Sequence, residues 1–306
     1  MINFISKRTL FVSISTILVV ASLVMLFSWG LKLGIDFTGG SILEIRYTGN
    51  SVPSIDEAQT ALKDLNLHSL TTQAADNKGM IFRFQETSED IHQAIISRLT
   101  NLAVSKGATK PGIDELEFEA VGPSVGKELQ TKAIYAIIIV LITISLYIAW
   151  AFRKVSKPIS SWKYGIATLL SLFHDVFIVL GFFAILGKFF NVEFNTSFVA
   201  AALTVLGFSV HDTIVVFDRI RENLPRSNQD FAGTVNSSLN QTVVRSINTS
   251  FTVLLVLLAI TLLGGPSIQY FAMSLLVGIF FGTYSSIFLA SPLLVIWNNM
   301  ARKKNA

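Results

Sequence analysis

The chain has 306 residues, of which 51% are hydrophobic and only 14% charged, with a formal net charge of +4. Soluble domains carry about 25% charged residues, so a mean hydropathy of +0.58 excludes an ordinary soluble fold and points to a membrane protein. The absence of cysteine excludes a disulfide framework and a thiolate metal site, and no basic face with interleaved aromatics argues for nucleic acid as a partner.

A bilayer core needs about 20 apolar residues per helix. Six windows qualify: Leu10–Leu31, Ala133–Phe152, Gly165–Gly187, Ser197–Phe217, Ile247–Gly264 and Tyr270–Trp297. The expected fold is therefore an α-helical polytopic membrane protein with six transmembrane helices and an inserted α+β domain. Its segments are 1–31 (N-terminus and first span), 32–132 (inserted domain), 133–297 (spans two to six) and 298–306 (a basic tail). The first span follows Lys7 and Arg8 but is too long for a signal h-region and lacks an A-x-A site, so it reads as an uncleaved anchor.

In the short connections, Lys7, Arg8, Arg153, Lys154, Lys157, Lys163, Arg219, Arg221, Arg226, Arg245, Arg302, Lys303 and Lys304 fall on one side, and only Lys188 on the other. The positive-inside rule then places both termini in the cytoplasm and the inserted domain outside. That domain has 10 basic and 14 acidic residues over Lys32–Lys132; long translocated domains escape the charge rule.

"GIDFTGG" (Gly34–Gly40) follows the first span. A P-loop needs G-K-[ST] opening a helix, which is absent, so the stretch reads as a tight turn where glycine supplies φ > 0. "SILEIRY" alternates as a strand with Leu43, Ile45 and Tyr47 on one face. "SIDE" at Ser54–Glu57 is a capping box opening a helix with the stripe Ile55, Ala58, Leu62 and Leu65. Strands over His68–Gln73 and Met80–Gln85 flank a turn at Asp76–Gly79. Thr87 is expected to cap a second helix with Ile91, Ile95, Leu99 and Leu102 inward, and Leu116–Val121 alternates again. The order β-α-β-β-α-β is a ferredoxin-like arrangement, with no metal-ligand spacing in it.

The third span holds "FHDVFIV" with His174 and Asp175; the fourth holds "VHDTIVV" with His211 and Asp212. An ionisable group inside a span costs roughly 2.5–3.5 kcal/mol on insertion scales and marks an ion pathway by default. Asp175 lies about 10 residues (roughly 15 Å) and Asp212 about 5 residues (roughly 8 Å) from the cytoplasmic ends of their predicted helices. Arg245 opens the fifth span from the same side. One reading is a proton relay, in which Asp212 alternately meets and leaves Arg245, with Asp175 supporting. The other is structural: carboxylates hydrogen-bonded across helices, with Arg245 snorkelling to the interface. Ser209 and Asp212 are three apart and share a face. His211 points about 100° from Asp212, so His211 and His174 fit helix–helix hydrogen bonding as well as proton transfer. The aspartates follow histidine rather than sitting in a Y-D and G-x-G-D pair, which speaks against a membrane aspartyl protease. A zinc site is possible by ligand count, but no H-E-x-x-H helix is present.

"FDRIREN" (Phe217–Asn223) ends the fourth span, with Arg219 and Arg221 as interfacial anchors beside Asp218; the Asp218–Arg221 spacing is attractive and Asp218–Glu222 repulsive. Phe231, Val235 and Leu239 then recur every four residues, a pattern that predicts a short amphipathic helix on the cytoplasmic surface. Ser246, Thr249 and Ser250 suit helix packing, and Gly278 with Gly282 forms a G-x-x-x-G face in the last span.

The motifs "GIDFTGG" (34–40), "VGPSVGKEL" (121–129), "FHDVFIVLGFFAILG" (173–187), "GFSVHDTIVVFDRIREN" (207–223) and "RSINTSFTVLL" (245–255) together resemble the SecF family of bacterial protein-export membrane proteins, in the resistance-nodulation-division superfamily, over essentially the whole length. The resemblance implies a subunit of the Sec translocase in the bacterial inner membrane, with its large domain periplasmic. The implied partners are SecD as heterodimer mate, the SecYEG channel, YajC and YidC, the translocating preprotein and the lipid bilayer; no cofactor and no enzyme activity of its own are implied. The family's intramembrane aspartate and fifth-span arginine match Asp212 and Arg245, whereas Phe208 and His211 stand where the family commonly has Tyr and Asn. The alternative is a proton-driven small-molecule exporter of the same superfamily. Those chains usually hold two six-span halves and larger external domains.

Overall fold

The computed structural model describes residues 2–49, 52–75, 78–107, 112–153 and 158–304, without the side chains of 266, 267 and 302–304. The predicted turn residues Asp76 and Asn77, the loop residues Lys154 and Lys157, and the side chains of Arg302, Lys303 and Lys304 lie outside the described set. Two compact units are formed: Met1–Lys32 with Ala133–Ala306, and Leu33–Lys132.

In the Leu33–Lys132 unit, a single helical turn α2 (Ile35–Thr38) precedes β1 (Gly40–Tyr47), α3 (Ile55–Leu62), β2 (Thr71–Ala75), β3 (Gly79–Phe84), α4 (Glu89–Ser105) and β4 (Ile113–Val121). The sheet is antiparallel in the order β2-β3-β1-β4, the ferredoxin-like arrangement its element order calls for. Period-two alternation turns Leu43, Ile45, Tyr47, Met80, Phe82 and Phe84 inward, where they meet Ala58, Leu62, Ile95 and Leu99. The capping box forms in both directions: Ser54 N–H donates to Glu57 (2.9 Å) and Glu57 N–H to Ser54 Oγ (3.2 Å). Helix α4 starts one residue later than predicted. Its N-cap is Ser88, not Thr87, and no side chain completes the cap. At "GIDFTGG" the chain makes the α2 turn and leaves it through Gly39 (φ 76°) and Gly40 (φ 124°). A Cβ on Gly39 would lie 2.7 Å from the Pro123 backbone, so glycine is required there by space as well as by φ.

The other unit is a helical bundle: α1 (Arg8–Trp29), α5 (Pro123–Ala151), α6 (Ser161–Phe190), α7 (Thr196–Asn223), α8 (Phe231–Leu263), α9 (Pro266–Ser285) and, after a π-helical turn at Ser286–Ala290, α10 (Ser291–Lys304). Among the described residues six stretches are long and apolar enough to cross a membrane, the last running over Ile268–Ala301. Pro292 has no N–H to offer the preceding turn, and a widened π turn is one way a helix absorbs that loss.

A further expectation is corrected. Phe231, Val235 and Leu239 do not lie on a separate surface helix. Helix α8 runs unbroken for 33 residues, and these three side chains are buried with Phe217, Ile220, Tyr164 and Leu294 in the core at one end of the bundle. Their polar neighbours have a structural use. The side chains of Asn236 and Asn240 hydrogen-bond the backbone of Ile2 and Phe4 at 2.8–3.1 Å. No glycine or proline lies between Val235 and the apolar run to break the helix.

Helix α7 also continues past its predicted end at Phe217, because Phe217 and Ile220 are fully buried in the same core. Asp212 is therefore 11 residues from that end of α7, and Asp175 14 residues from the start of α6. Those separations are about 17 Å and about 21 Å along the helices. Small residues bring helices into backbone contact. A Cβ on Gly181 would sit 2.5 Å from Ser22 Cβ, and one on Gly282 would sit 3.0 Å from Ser209 Cβ.

Candidate functional site

Spans containing Asp, Ser, Thr and His cannot face hydrocarbon with those groups unpaired, and here they converge. Asp175 on α6 is fully buried. Its Oδ2 accepts from Ser209 Oγ of α7 at 2.5 Å and from Ser285 Oγ of α9 at 2.9 Å, while Oδ1 lies 2.9 Å from its own neighbour His174 Nδ1. One carboxyl thus ties three helices together. Gly282 makes this possible, because its missing side chain lets α9 reach Ser209.

Asp212 on α7 is buried at 2% exposure and faces α8 and α9 rather than α6. Ser250 Oγ of α8 donates to its Oδ2 at 3.5 Å, and the same hydroxyl is 2.6 Å from Thr283 Oγ1 of α9. The Ser246 hydroxyl points toward the carboxylate without closing a hydrogen bond of normal geometry. Both aspartates are therefore held by hydroxyls on neighbouring helices. Among the described residues no Lys or Arg lies within ion-pair distance of either.

The other predicted residues fall as follows. Ser209, expected to share a face with Asp212, serves Asp175 instead. Arg245 sits one residue before Ser246 but on the exposed side of α8, and forms no ion pair with Asp212. His211 is exposed, and His174 is buried at 3%. Asp218 pairs with Arg221 at 2.5 Å, and Arg219 pairs with Glu222 at 2.8 Å while also bonding Gln241 of α8. Asn223 joins Ser238 at 2.9 Å beside them, so this segment clamps α7 to α8 in addition to lining the bundle end. Among the described residues no three His, Asp or Glu side chains converge to hold a metal ion.

Three residues that sequence reasoning passed over complete the site: Thr283, Tyr284 and Ser285, consecutive on α9. Thr283 reaches the partner of Asp212, Ser285 reaches Asp175, and the Tyr284 ring stacks on His174 at 6.2 Å. The Tyr284 hydroxyl donates to the Phe11 carbonyl of α1 at 3.2 Å. The run "TYSS" (283–286) inside an apolar span was the available signal, since small polar residues in spans mark packed interfaces.

Comparison with known proteins fits this architecture. Residues 102–300 match the family described as protein export membrane protein SecD/SecF, C-terminal, and residues 24–50 match the SecD/SecF GG motif. The chain is 43% identical to the protein translocase subunit SecF of Thermobaculum terrenum, over 98% of this chain and 95% of that one. It is 37% identical to the subunit of the same name from Anaerolinea thermophila, over 98% and 95%. The crystal structure of SecDF from Thermus thermophilus, a translocon-associated membrane protein, superposes with a TM-score of 0.80 at 33% identity. That match covers 97% of this chain and 39% of the SecDF chain. With buried acids at the seams of a six-span bundle, a four-stranded inserted domain and relatives aligned nearly end to end, the chain belongs to the SecF family of multi-pass membrane proteins.

Proposed function

We propose that this protein is an accessory subunit of the Sec translocase. With SecD it uses the proton motive force to promote late steps of preprotein translocation across the inner membrane. Both termini face the cytoplasm and the Leu33–Lys132 domain faces the periplasm, where it contacts the emerging preprotein or moves with SecD. SecYEG, YajC and YidC complete the proposed assembly.

The observation that carries the proton reading is the pair of buried acids held by hydroxyls. A serine or threonine hydroxyl can donate to a carboxylate or accept from a carboxylic acid by rotating one bond. Both protonation states are therefore served without moving a helix far. A fixed cation would favour one state only. One charge crossing 100 mV is worth about 2.3 kcal/mol, enough to bias a two-state rearrangement. Asp212 is the proposed exchange site, bonded to α8 and α9 through Ser250 and Thr283, and Asp175 supports it from the α6 side. Arg245, exposed in this conformation, is the cation that would meet Asp212 in the other. His211 is also exposed.

The experiment replaces Asp212 with Asn, verifies membrane abundance, and measures secretion with and without a proton motive force. Loss of the proton-dependent component is expected; normal proton-dependent secretion would overturn the relay. Co-purification with SecD and SecY, rather than drug efflux in a deletion strain, separates this reading from a small-molecule exporter.

A further inference from the structure

Behind Asp175 lies a cluster that the relay above does not use. His174 is buried at 3%, with Nδ1 engaged by Asp175 Oδ1 at 2.9 Å, while its Nε2 has no hydrogen-bond partner. Ser171, one turn earlier on α6, is fully buried with its Oγ unpaired. Ser15 on α1 is buried at 2% with its Oγ unpaired, although it lies beside the Tyr284 phenol. Tyr284 bridges the two groups: its ring stacks on His174 and its hydroxyl reaches the Phe11 carbonyl, one turn from Ser15. The helix register agrees. Gly181 touches Ser22, and seven residues back along both helices come His174 and Ser15.

An unpaired buried polar atom costs about 1–3 kcal/mol. Two of them, His174 Nε2 and the Ser15 hydroxyl, belong to residues flanking Tyr284, and Ser171 lies one turn from His174 on α6; together they call for a shared partner. Buried water typically makes about three hydrogen bonds to such groups. The titratable groups facing His174 are Asp175 from its own helix and Tyr284 from α9. From α1 the Ser15 hydroxyl and the Phe11 carbonyl lie beside Tyr284.

We propose that His174, Ser171, Ser15 and Tyr284 bind a buried water molecule, and that His174 with this water forms a second proton branch leading from Asp175 toward α1. The inference rests on the relay reading given above. The transfer balances simply. The Oδ1–H bond of protonated Asp175 breaks as Nδ1–H forms; the Nε2–H bond breaks as the water becomes hydronium, whose charge balances the new Asp175 carboxylate; and the imidazole ends neutral in its other tautomer. Asp175 is left as a carboxylate with Ser209 and Ser285 donating to it. Tyr284 is a positioning residue, holding the imidazole plane and one side of the water.

The test labels the histidines of the full chain with 15N, reconstitutes it in lipid vesicles, and measures transfer of magnetisation from water to each imidazole by solid-state NMR. The chain has four histidines, and His174→Gln identifies the signal. Expected are a water contact at His174 Nε2, its loss in Tyr284→Phe or Ser15→Ala, and slower proton-dependent secretion by His174→Gln at wild-type abundance. No water contact, a contact unchanged in both Tyr284→Phe and Ser15→Ala, or secretion by His174→Gln with the wild-type pH profile would each overturn the branch. Tyr284→Phe keeps the stacking ring, and Ser15→Ala covers the case in which the aromatic variant fails to accumulate. If the branch fails while Asp212→Asn still abolishes proton-dependent secretion, the relay stands without it. If Asp212→Asn secretes normally, the relay itself falls.

Discussion

Replacing Ser209 with Ala removes one hydroxyl from a fully buried position and leaves the α7 backbone in place. The lost contact is the 2.5 Å hydrogen bond to Asp175 Oδ2; Ser285 and His174 remain on that carboxyl. Interhelical hydrogen bonds in membranes average about 0.6 kcal/mol, with a maximum near 1.7. Charge-assisted bonds are roughly twice as strong as neutral ones. The coupling between Ser209→Ala and Asp175→Leu should therefore be about 0.6 kcal/mol where the acid is neutral, and about 1.2–1.7 kcal/mol where it is ionised. Reversible unfolding of the wild type, both single variants and the double variant in detergent gives this coupling, because the cycle cancels what each substitution does alone. Repeating the cycle across pH reads the charge state of Asp175 as a step between the two values. A coupling indistinguishable from zero at every pH would refute the claim that Asp175 ties α6 to α7, whatever the single substitutions cost.

Other outcomes follow from the packing. Gly181→Ala should destabilise the bundle by about 1–3 kcal/mol through overpacking against Ser22. Gly207→Ala, which meets nothing within 4 Å, should be neutral or slightly stabilising by helix propensity; thermal unfolding of the two variants compares them. Leu239→Ala should cost about 2–5 kcal/mol as a core truncation, measured by the same unfolding; a loss under about 0.5 kcal/mol would restore the surface-helix assignment. In the Leu33–Lys132 domain, partial burial first, then the Glu117 and Asp36 charges, hold the Glu119 carboxyl above the usual carboxylate range. The folded state then binds that proton more tightly than the unfolded state, so the site becomes unfavourable as pH rises from the ordinary range through the folded value. Glu119→Gln should slow amide exchange in β4 at pH 7 and change nothing below about pH 4; an equal gain at both would contradict the assignment.

Much of the architecture was legible because it rests on local rules. Span length, the alternation of β1 and β3 and the Ser54–Glu57 capping box depend on neighbours in sequence, and the structure has each of them. The alternation expected over Leu116–Val121 fails, because Leu116 falls at a register shift against β1 and is exposed, and β2 runs over Thr71–Ala75 rather than His68–Gln73. The failures come from contacts that sequence spacing does not encode. Phe231, Val235 and Leu239 have the period of a surface helix, but the same period fits a helix end that meets Phe217 and Leu294. Ser209 and Asp212 lie three apart, yet the rotation of α7 between α6 and α9 sends one to Asp175 and the other to Ser250. That both aspartates lie inside spans was readable from hydropathy, but that they face neighbouring helices was not, since His211 in the same apolar run is exposed. Their separate partners, and the use of Thr283, Tyr284 and Ser285 to touch both sites, depend on how close Gly278 and Gly282 let α9 approach α7.

The central claim is that Asp212 exchanges a proton under working conditions. Infrared difference spectroscopy of the full chain in lipid vesicles, between acidic and neutral pH, tests it most directly. The account predicts a protonated-carboxyl band that appears and disappears with pH and is missing from Asp212→Asn. A pH-invariant carboxyl region, or a band that Asp212→Asn leaves intact, would contradict it.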